Sequence, residues 1–308
     1  MTAVDDLEQL YARRLVSWCQ TPETRLPDAA AAAGFIERVG LATLFPASPE
    51  IPNLFHAHTG DPAAQTESKW DSPAGHVYGW RWALGRPGAA FYTAIVRGRP
   101  TWVAWDLLPA VLRLRGTLRP PDELYAAGEL SASAYRIVQV LTDCGGVLST
   151  SDLRALAGFP TGKAERAALR KAVAELDARL LLAKVFAADD EDMRHALVGV
   201  RYPQHTAAAA RLSYAAALEQ LLVTYLPHAK YVLPATLARH LGLPATELRT
   251  ALRVMADSHR VTPRALPEYR EIGYVWTDSG PPPGSSERSG RPGKGCSGGA
   301  SDPGWGES

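Results

Sequence analysis

Apolar positions at helical spacing, broken by short β-rich stretches, set the order of elements along the chain. Between residues 131 and 202, Ile137, Val138 and Leu141 form one stripe and Leu153 with Leu156 a second. Leu169, Val173, Leu176 and Leu180 form a third, and each has the three-and-four spacing of a buried helix face. Short apolar strands at 181–186 and 196–200 flank the acidic Asp189-Asp190-Glu191-Asp192. The predicted order is helix, helix, helix, hairpin, which is that of a winged helix. Gly158-Phe-Pro-Thr161 supplies the turn, with Thr161 as N-cap of the third helix.

The plan repeats downstream. A helix over about 207–226 carries Tyr214, Leu218, Leu221 and Tyr225 in register, and 233–243 repeats the second helix and its turn. Residues 246–258 carry Leu248, Leu252 and Met255, and 261–276 closes as a second wing. A repeated unit of this kind predicts tandem winged helices.

Upstream, Leu7, Tyr11, Leu15 and Trp18 predict a helix over 5–19. A second is predicted over 29–39, capped by Asp28 and ended by Gly40, followed by a strand over 41–45. The runs 91–97 and 101–105 around Gly98-Arg-Pro100 predict a hairpin, and Asp106 is placed to cap the next helix. Pro120-Pro121 marks a boundary. Residues 46–90 are expected to be irregular, rich in Pro, Gly, Asp and His, and they hold Trp70, Tyr78, Trp80 and Trp82. Long irregular segments are often functional, although aromatics also simply pin loops to a core.

The fold class predicted is therefore α+β, mostly α. It comprises an N-terminal winged-helix-like unit over 1–125 with the insertion 46–90, and winged helices over 126–204 and 205–278. The Gly/Ser/Pro tail 279–308 is too poor in apolar residues to offset its ordering entropy and is expected to be disordered.

Composition changes this picture little. The 308-residue chain is 46% hydrophobic with net charge +1, so no global field attracts a polyanion or a membrane. Arginine outnumbers lysine and Asn53 is the only asparagine, a coding bias that weakens arginine abundance as evidence for phosphate binding. Cys19, Cys144 and Cys296 lack CxxC spacing, so neither a disulfide framework nor a zinc site is expected. The acidic start lacks a leader pattern and no apolar run reaches membrane-spanning length, so a cytoplasmic protein without a membrane partner is the expectation.

Candidate chemistry lies in two places. The third helix of a helix-turn-helix reads the major groove while phosphate contacts position it. That makes Lys163, Arg166 and Arg170, and in the repeat Arg249 and Arg253, the expected DNA contacts. Acidic neighbours allow the alternative of a solvated helix face. The acidic wing tip is expected to stay off the phosphate backbone. In the irregular segment, His56 and His58 share a face if the segment is a strand and could, with Asp61, handle a proton. No further ligand at metal spacing accompanies them, so no metal and no cofactor are expected. Gly295-Cys-Ser-Gly-Gly299 matches a nucleophile elbow literally but lies in the tail, outside the strand-turn-helix such an elbow needs.

Leu44-Phe45-Pro46, Leu54-Phe55-His56-Ala57, Tyr78-Gly79-Trp80, the hairpin and helix of 91–112 and the unit 131–202 together resemble the AlkZ/YcaQ-like superfamily. The resemblance is strongest to its AlkZ-related branch and covers roughly residues 30–277. It implies a tandem winged-helix fold and binding of double-stranded DNA, damaged or distorted. Characterised members of the superfamily are glycosylases that excise alkylated bases or unhook crosslinks with a Gln-x-Gln or Gln-x-Asp motif. Aligned on Gly40, the two functional positions of that motif fall on Thr43 and Phe45. Phe45 can neither activate water nor stabilise a developing cation, so no catalytic residue carries over. Gln65-Thr66-Glu67 is the nearest match in the chain, in a polar loop away from the aligned position. A base pocket is expected among Thr43, His56, His58, Tyr78 and Trp80. The functional expectation is a DNA-binding protein related to repair glycosylases. Alternatives are an active glycosylase with a rearranged site, in which His56, His58 or Asp61 handles water, and a protein-interaction module. No particular protein partner is specified.

Overall fold

The computed structural model describes residues 3–67, 69–159, 161–188 and 193–277, with the backbone alone for 3–6, 164 and 165. The acidic wing tip and the expected disordered tail lie outside the described residues. The chain is α+β, and among the described residues there are three small antiparallel sheets among helices.

The first stretch contains α1 (Ala3–Ser17), α2 (Ala29–Val39), β1 (Leu41–Thr43), α3 (Leu54–Thr59), α4 (Pro73–Gly85), β2 (Phe91–Val96), β3 (Arg99–Val103) and α5 (Leu108–Arg115). α2 begins where Asp28 accepts the Ala31 N–H (2.9 Å) and ends at Gly40, whose φ of 81° few other residues adopt. Its strands pair in the order β1-β3-β2, so the expected hairpin gains a third strand from 41–43. The stripe predicted for α1 is rotated. Leu10, Arg14 and Trp18 face inward at four-residue spacing, and Tyr11 is exposed.

Residues 46–90 are not irregular. Asn53 caps α3 by accepting the His56 N–H (2.8 Å), and Ser72 caps α4 with Pro73 in its first turn. His56 and His58 therefore lie on a helix, where residues two apart point in different directions rather than sharing a face. Asp106 does not cap α5, which starts without a side-chain cap, and Pro121 opens a short helix, α6 (Pro121–Ala126).

The middle stretch has the expected helix–helix–helix–hairpin order: α7 (Ala132–Asp143), α8 (Thr150–Leu156), α9 (Lys163–Ala178), β4 (Leu182–Phe186) and β5 (Met193–Leu197). Leu156 is 57% exposed, and Ala157, one full turn from Leu153, packs inward in its place. Gly162, not Thr161, occupies the N-cap of α9. β5 starts earlier than predicted, and α10 (Val198–Arg201) follows it. A distinct core of Ile137, Leu141, Leu153, Leu169, Leu176 and Leu182 holds this stretch together.

The last stretch has α11 (Pro203–Arg211), α12 (Tyr214–Ala229), β6 (Tyr231–Val232), α13 (Pro234–Leu241), α14 (Ala245–Asp257), β7 (Val261–Ala265) and β8 (Ile272–Trp276), with sheet order β6-β8-β7. The single helix predicted over 207–226 is two, because Ser213 caps α12 anew. Its core is continuous with that of the first stretch, running from Trp18 and Phe35 through Trp102 and Leu108 to Leu222 and Leu252. The middle stretch joins this shared core through Leu180, Ala183, Phe186 and Val198, of which Phe186 is the largest. That ring stacks on Trp102 (5.8 Å) and meets Trp82 (5.3 Å) and Tyr92 (5.5 Å) edge-on.

The first and last stretches are also clasped by Arg14, which is fully buried. Its guanidinium donates to the carbonyls of Ala229 (2.7 Å) and Tyr231 (2.8 Å) and pairs with Glu50 (3.1 Å). Burial works against its charge, but Glu50 and the surrounding tyrosines hold its pKa above the ordinary arginine value. The Tyr225 hydroxyl donates to the Glu50 carbonyl (2.6 Å), which fixes the 46–53 segment that borders the cavity described next.

Candidate functional site

A cavity of about 770 Å³ lies in the first stretch. It lies within the range of small-molecule sites, roughly 300–1,000 Å³. Its floor is Phe45 and Pro46 at the end of β1, with His56 from α3 and Ala74, Gly75 and Tyr78 from α4. Its outer wall is the loop Pro62–Trp70, including Gln65 and Glu67, and Arg99 closes one side.

Local chemistry shapes that loop. Asp61 accepts the Ala63 N–H (2.8 Å), and Gln65 donates back to the Ala63 carbonyl (3.0 Å). The Ser72 hydroxyl donates to the Lys69 carbonyl (2.6 Å) while its oxygen caps α4. Position 75 admits only glycine, because a Cβ there would overlap the Trp70 carbonyl. The loop is thereby laid against the first turn of α4, and Trp70 projects outward, 70% exposed and edge-on to Tyr78 (5.9 Å). Arg81 lies over the Tyr78 ring (3.5 Å). A large exposed aromatic pair at a cavity mouth is uncommon on a soluble surface and is what an extruded planar ring can stack on.

Of the five residues expected to form the pocket, His56 and Tyr78 line the cavity. Thr43 is buried beneath it, and its hydroxyl points to the Pro52 carbonyl (3.4 Å). Trp80 is buried on the far side of α4 against His58 (4.8 Å), which also binds the Leu26 carbonyl through Nδ1 (2.9 Å). Neither His58 nor Trp80 lines the cavity. The neighbour of Thr43 in the aligned pair, Phe45, does face the cavity.

His56 is not a free base. The Asn53 oxygen already takes the His56 backbone N–H, so its amide nitrogen donates to Nδ1 (3.2 Å). Nε2 then carries the proton and donates to the Ala64 carbonyl (3.3 Å). Burial lowers its pKa, with the Ala64 carbonyl and Asp61 opposing, so the ring is neutral near pH 7 and pins the outer loop. Glu67 pairs with Lys69 (3.4 Å) at the surface. Among the described residues no group of three or more His, Cys, Asp or Glu side chains is arranged to hold a metal ion.

The basic helix faces stand apart from this cavity in the chain. Lys163, Arg166 and Arg170 are exposed along α9, and Arg166 also donates to the Thr161 carbonyl (3.2 Å). On α14 Arg249 approaches Glu271 (3.9 Å) and Arg253 donates to Thr250 (3.2 Å). Sequence reasoning missed Gln65, Glu67, Trp70 and Arg99 as cavity residues. Their one signal was the Gln65-Thr66-Glu67 match, whose position along the chain gives no hint that its loop returns to β1.

No described helix is long and apolar enough to cross a membrane. No curated protein matches the chain. The family model described as AlkZ related matches residues 26–221, from just before α2 into α12, and so takes in every wall of the cavity. By that match over more than half its length, the chain belongs to the AlkZ-related protein family.

Proposed function

We propose that the protein binds double-stranded DNA that is damaged or distorted, and receives an extruded base in the cavity beside Tyr78 and Trp70. The observation that carries this reading is the 770 Å³ cavity with Phe45 on its floor and an exposed Trp70–Tyr78 pair at its mouth. Extruding a base costs unstacking energy, least where the duplex is already mismatched or damaged, and aromatic faces recover part of it. In this reading the two helix–helix–helix–hairpin stretches are tandem winged helices. The exposed Lys163, Arg166 and Arg170 and the weakly engaged Arg249 and Arg253 meet phosphates or base edges. Absence of any Gln-x-Gln or Gln-x-Asp from the 308 residues favours binding without the chemistry of the catalytic relatives.

The test combines anisotropy with a duplex carrying 2-aminopurine opposite a mismatch. Binding at low salt with a rise in 2-aminopurine fluorescence is expected, and Trp70→Ala should bind more weakly and abolish the rise. No binding at low salt, where counterion release favours association most, refutes the proposal.

A second reading, residual glycosylase activity, is favoured by one arrangement. Gln65 and Glu67 line the same cavity as Phe45, one of the aligned motif positions. Glu67 would take the proton of the attacking water as the C1′–N bond breaks and its electron pair passes to the departing base. Abasic-site formation on an alkylated duplex, abolished in Glu67→Gln, is the expected result; intact substrate after prolonged incubation rejects it.

A further inference from the structure

Beside the cavity, the β2–β3 hairpin turns through Arg97-Gly98, with Val96 paired to Arg99 on either side. Arg97 has φ 50° and Gly98 φ 71°, so both central residues sit in the left-handed region. Two-residue hairpin turns of this hand favour Asn-Gly or Asp-Gly, because short side chains tolerate positive φ. An arginine there is a costly local choice, and strained positions of this kind concentrate at functional sites.

The tip also rests on α13. The Arg97 N–H donates to the His240 carbonyl (3.2 Å), and its guanidinium uses one N–H on the Ala47 carbonyl (3.4 Å). Arg239, the preceding residue of α13, is exposed beside it, and Arg97 and Arg239 both act on the His240 ring. Arg99 is exposed and reaches the cavity wall. Among the described residues no ion pair engages Arg97, Arg99 or Arg239. Of the nearby carboxylates, Glu50 is buried against Arg14, and Glu67 approaches Lys69 (3.4 Å) at the surface. Arg99 thus shares the cavity with the exposed aromatics, and Arg97 and Arg239 stand next to it at the hairpin tip and on α13.

We infer that Arg97, Arg99 and Arg239 hold the sugar-phosphate backbone of the strand whose nucleotide enters the cavity. This rests on the DNA-binding reading and adds to it the path of that strand. Guanidinium forks suit phosphate oxygens, and three of them on two elements fix the direction of the backbone as it passes the cavity mouth. They are positioning residues: they place the nucleotide and touch no reacting atom.

The test is the salt dependence of affinity, measured by anisotropy with a labelled mismatched duplex between low and moderate salt. Each phosphate left without its cation lowers the slope of log K against log salt by about 0.9. The triple variant Arg97→Ala/Arg99→Ala/Arg239→Ala should lower it by roughly 2–3, and the triple lysine variant should retain it. At saturating protein the alanine variant should also give a smaller 2-aminopurine signal than wild type, because the strand is no longer held at the cavity. An unchanged slope in the alanine variant overturns the inference and leaves DNA binding standing. A slope reduced equally in the lysine variant does the same, and would assign the arginines to local packing of the hairpin and α13. Retention of a labelled acidic peptide in place of DNA, or wild type that fails to bind DNA at low salt, overturns both.

Discussion

Arg14→Met should destabilise the protein more than any surface change. Arg14 is fully buried, and its three partners join α1, the 46–53 segment and the end of α12. Methionine keeps much of the stem's volume but leaves the Glu50 carboxylate, 6% exposed, without a cation. Removing one partner of a buried pair typically costs about 3–5 kcal/mol, since the remaining charge cannot be solvated. Two buried carbonyls are also left without donors. At about 2–4 °C per kcal/mol, the melting temperature should fall by roughly 10 °C. The decisive assay is a double-mutant cycle by denaturant unfolding. Glu50→Gln removes the orphaned charge, so Arg14→Met/Glu50→Gln should be more stable than the sum of the single changes predicts, by at least about 1 kcal/mol. Strict additivity would refute the view that Arg14 and Glu50 act as a pair. Because Glu50 anchors the segment leading to Pro46, Arg14→Met should also blunt the base signal in the cavity.

Other predictions follow from single interactions. Trp70→Ala should weaken duplex binding by about 1–3 kcal/mol, the usual worth of a base–aromatic stack, with melting unchanged because the ring is mostly exposed; equal affinity would remove it from the interface. Phe186→Ala should cost about 3–5 kcal/mol, since this ring is the largest side chain that the middle stretch places in the shared core; unaltered melting would contradict that. His195 is buried, accepts from Lys184 at Nδ1 (3.3 Å) and faces Thr150 at Nε2 (3.0 Å), while Lys184 pairs with Asp177. Burial first, then Lys184, lowers its pKa from 6.5 to about 3, so it stays neutral in the folded state while the unfolded chain takes up a proton. Its contribution is complete above pH 6.5 and falls away progressively toward pH 3, the deficit reaching roughly 2–3 kcal/mol at pH 4.5. His195→Gln should flatten that part of the stability profile, and an unchanged profile would exclude His195 as its source.

Much of the scaffold was legible from residues alone. Asp28 and Gly40 bound α2 because side-chain capping and left-handed glycine are local effects, and the stripes of α7, α9 and α14 survive because one face of each is buried. α3 and α4 were missed although Asn53 and Ser72-Pro73 are ordinary helix starts. Their glycines and histidines masked the apolar period, and Gly75 is there because the crossing loop leaves no room for a Cβ. The misplaced histidines follow from the same error, since a strand period makes neighbours of residues that a helix separates. The cavity was illegible for a different reason. It exists only where the 62–70 loop folds back over the end of β1, a meeting set by packing and by the His56–Ala64 hydrogen bond.

Net charge is a coarse guide to what a polyanion would meet. A total of +1 argues against binding a polyanion, yet it averages over charges that do not act together. Glu50 is spent inside on Arg14, Glu219 on Arg260, Glu129 on Arg119 and Asp177 on Lys184. Each pair cancels where it stands and leaves the cations beside the cavity uncompensated. What a phosphate meets is set by the few guanidiniums within a Debye length, about 8–10 Å at ordinary salt, and not by the sum over the chain. A protein built this way should bind DNA with a small salt slope that reflects a few phosphates, and should discriminate by how easily a base can leave the stack.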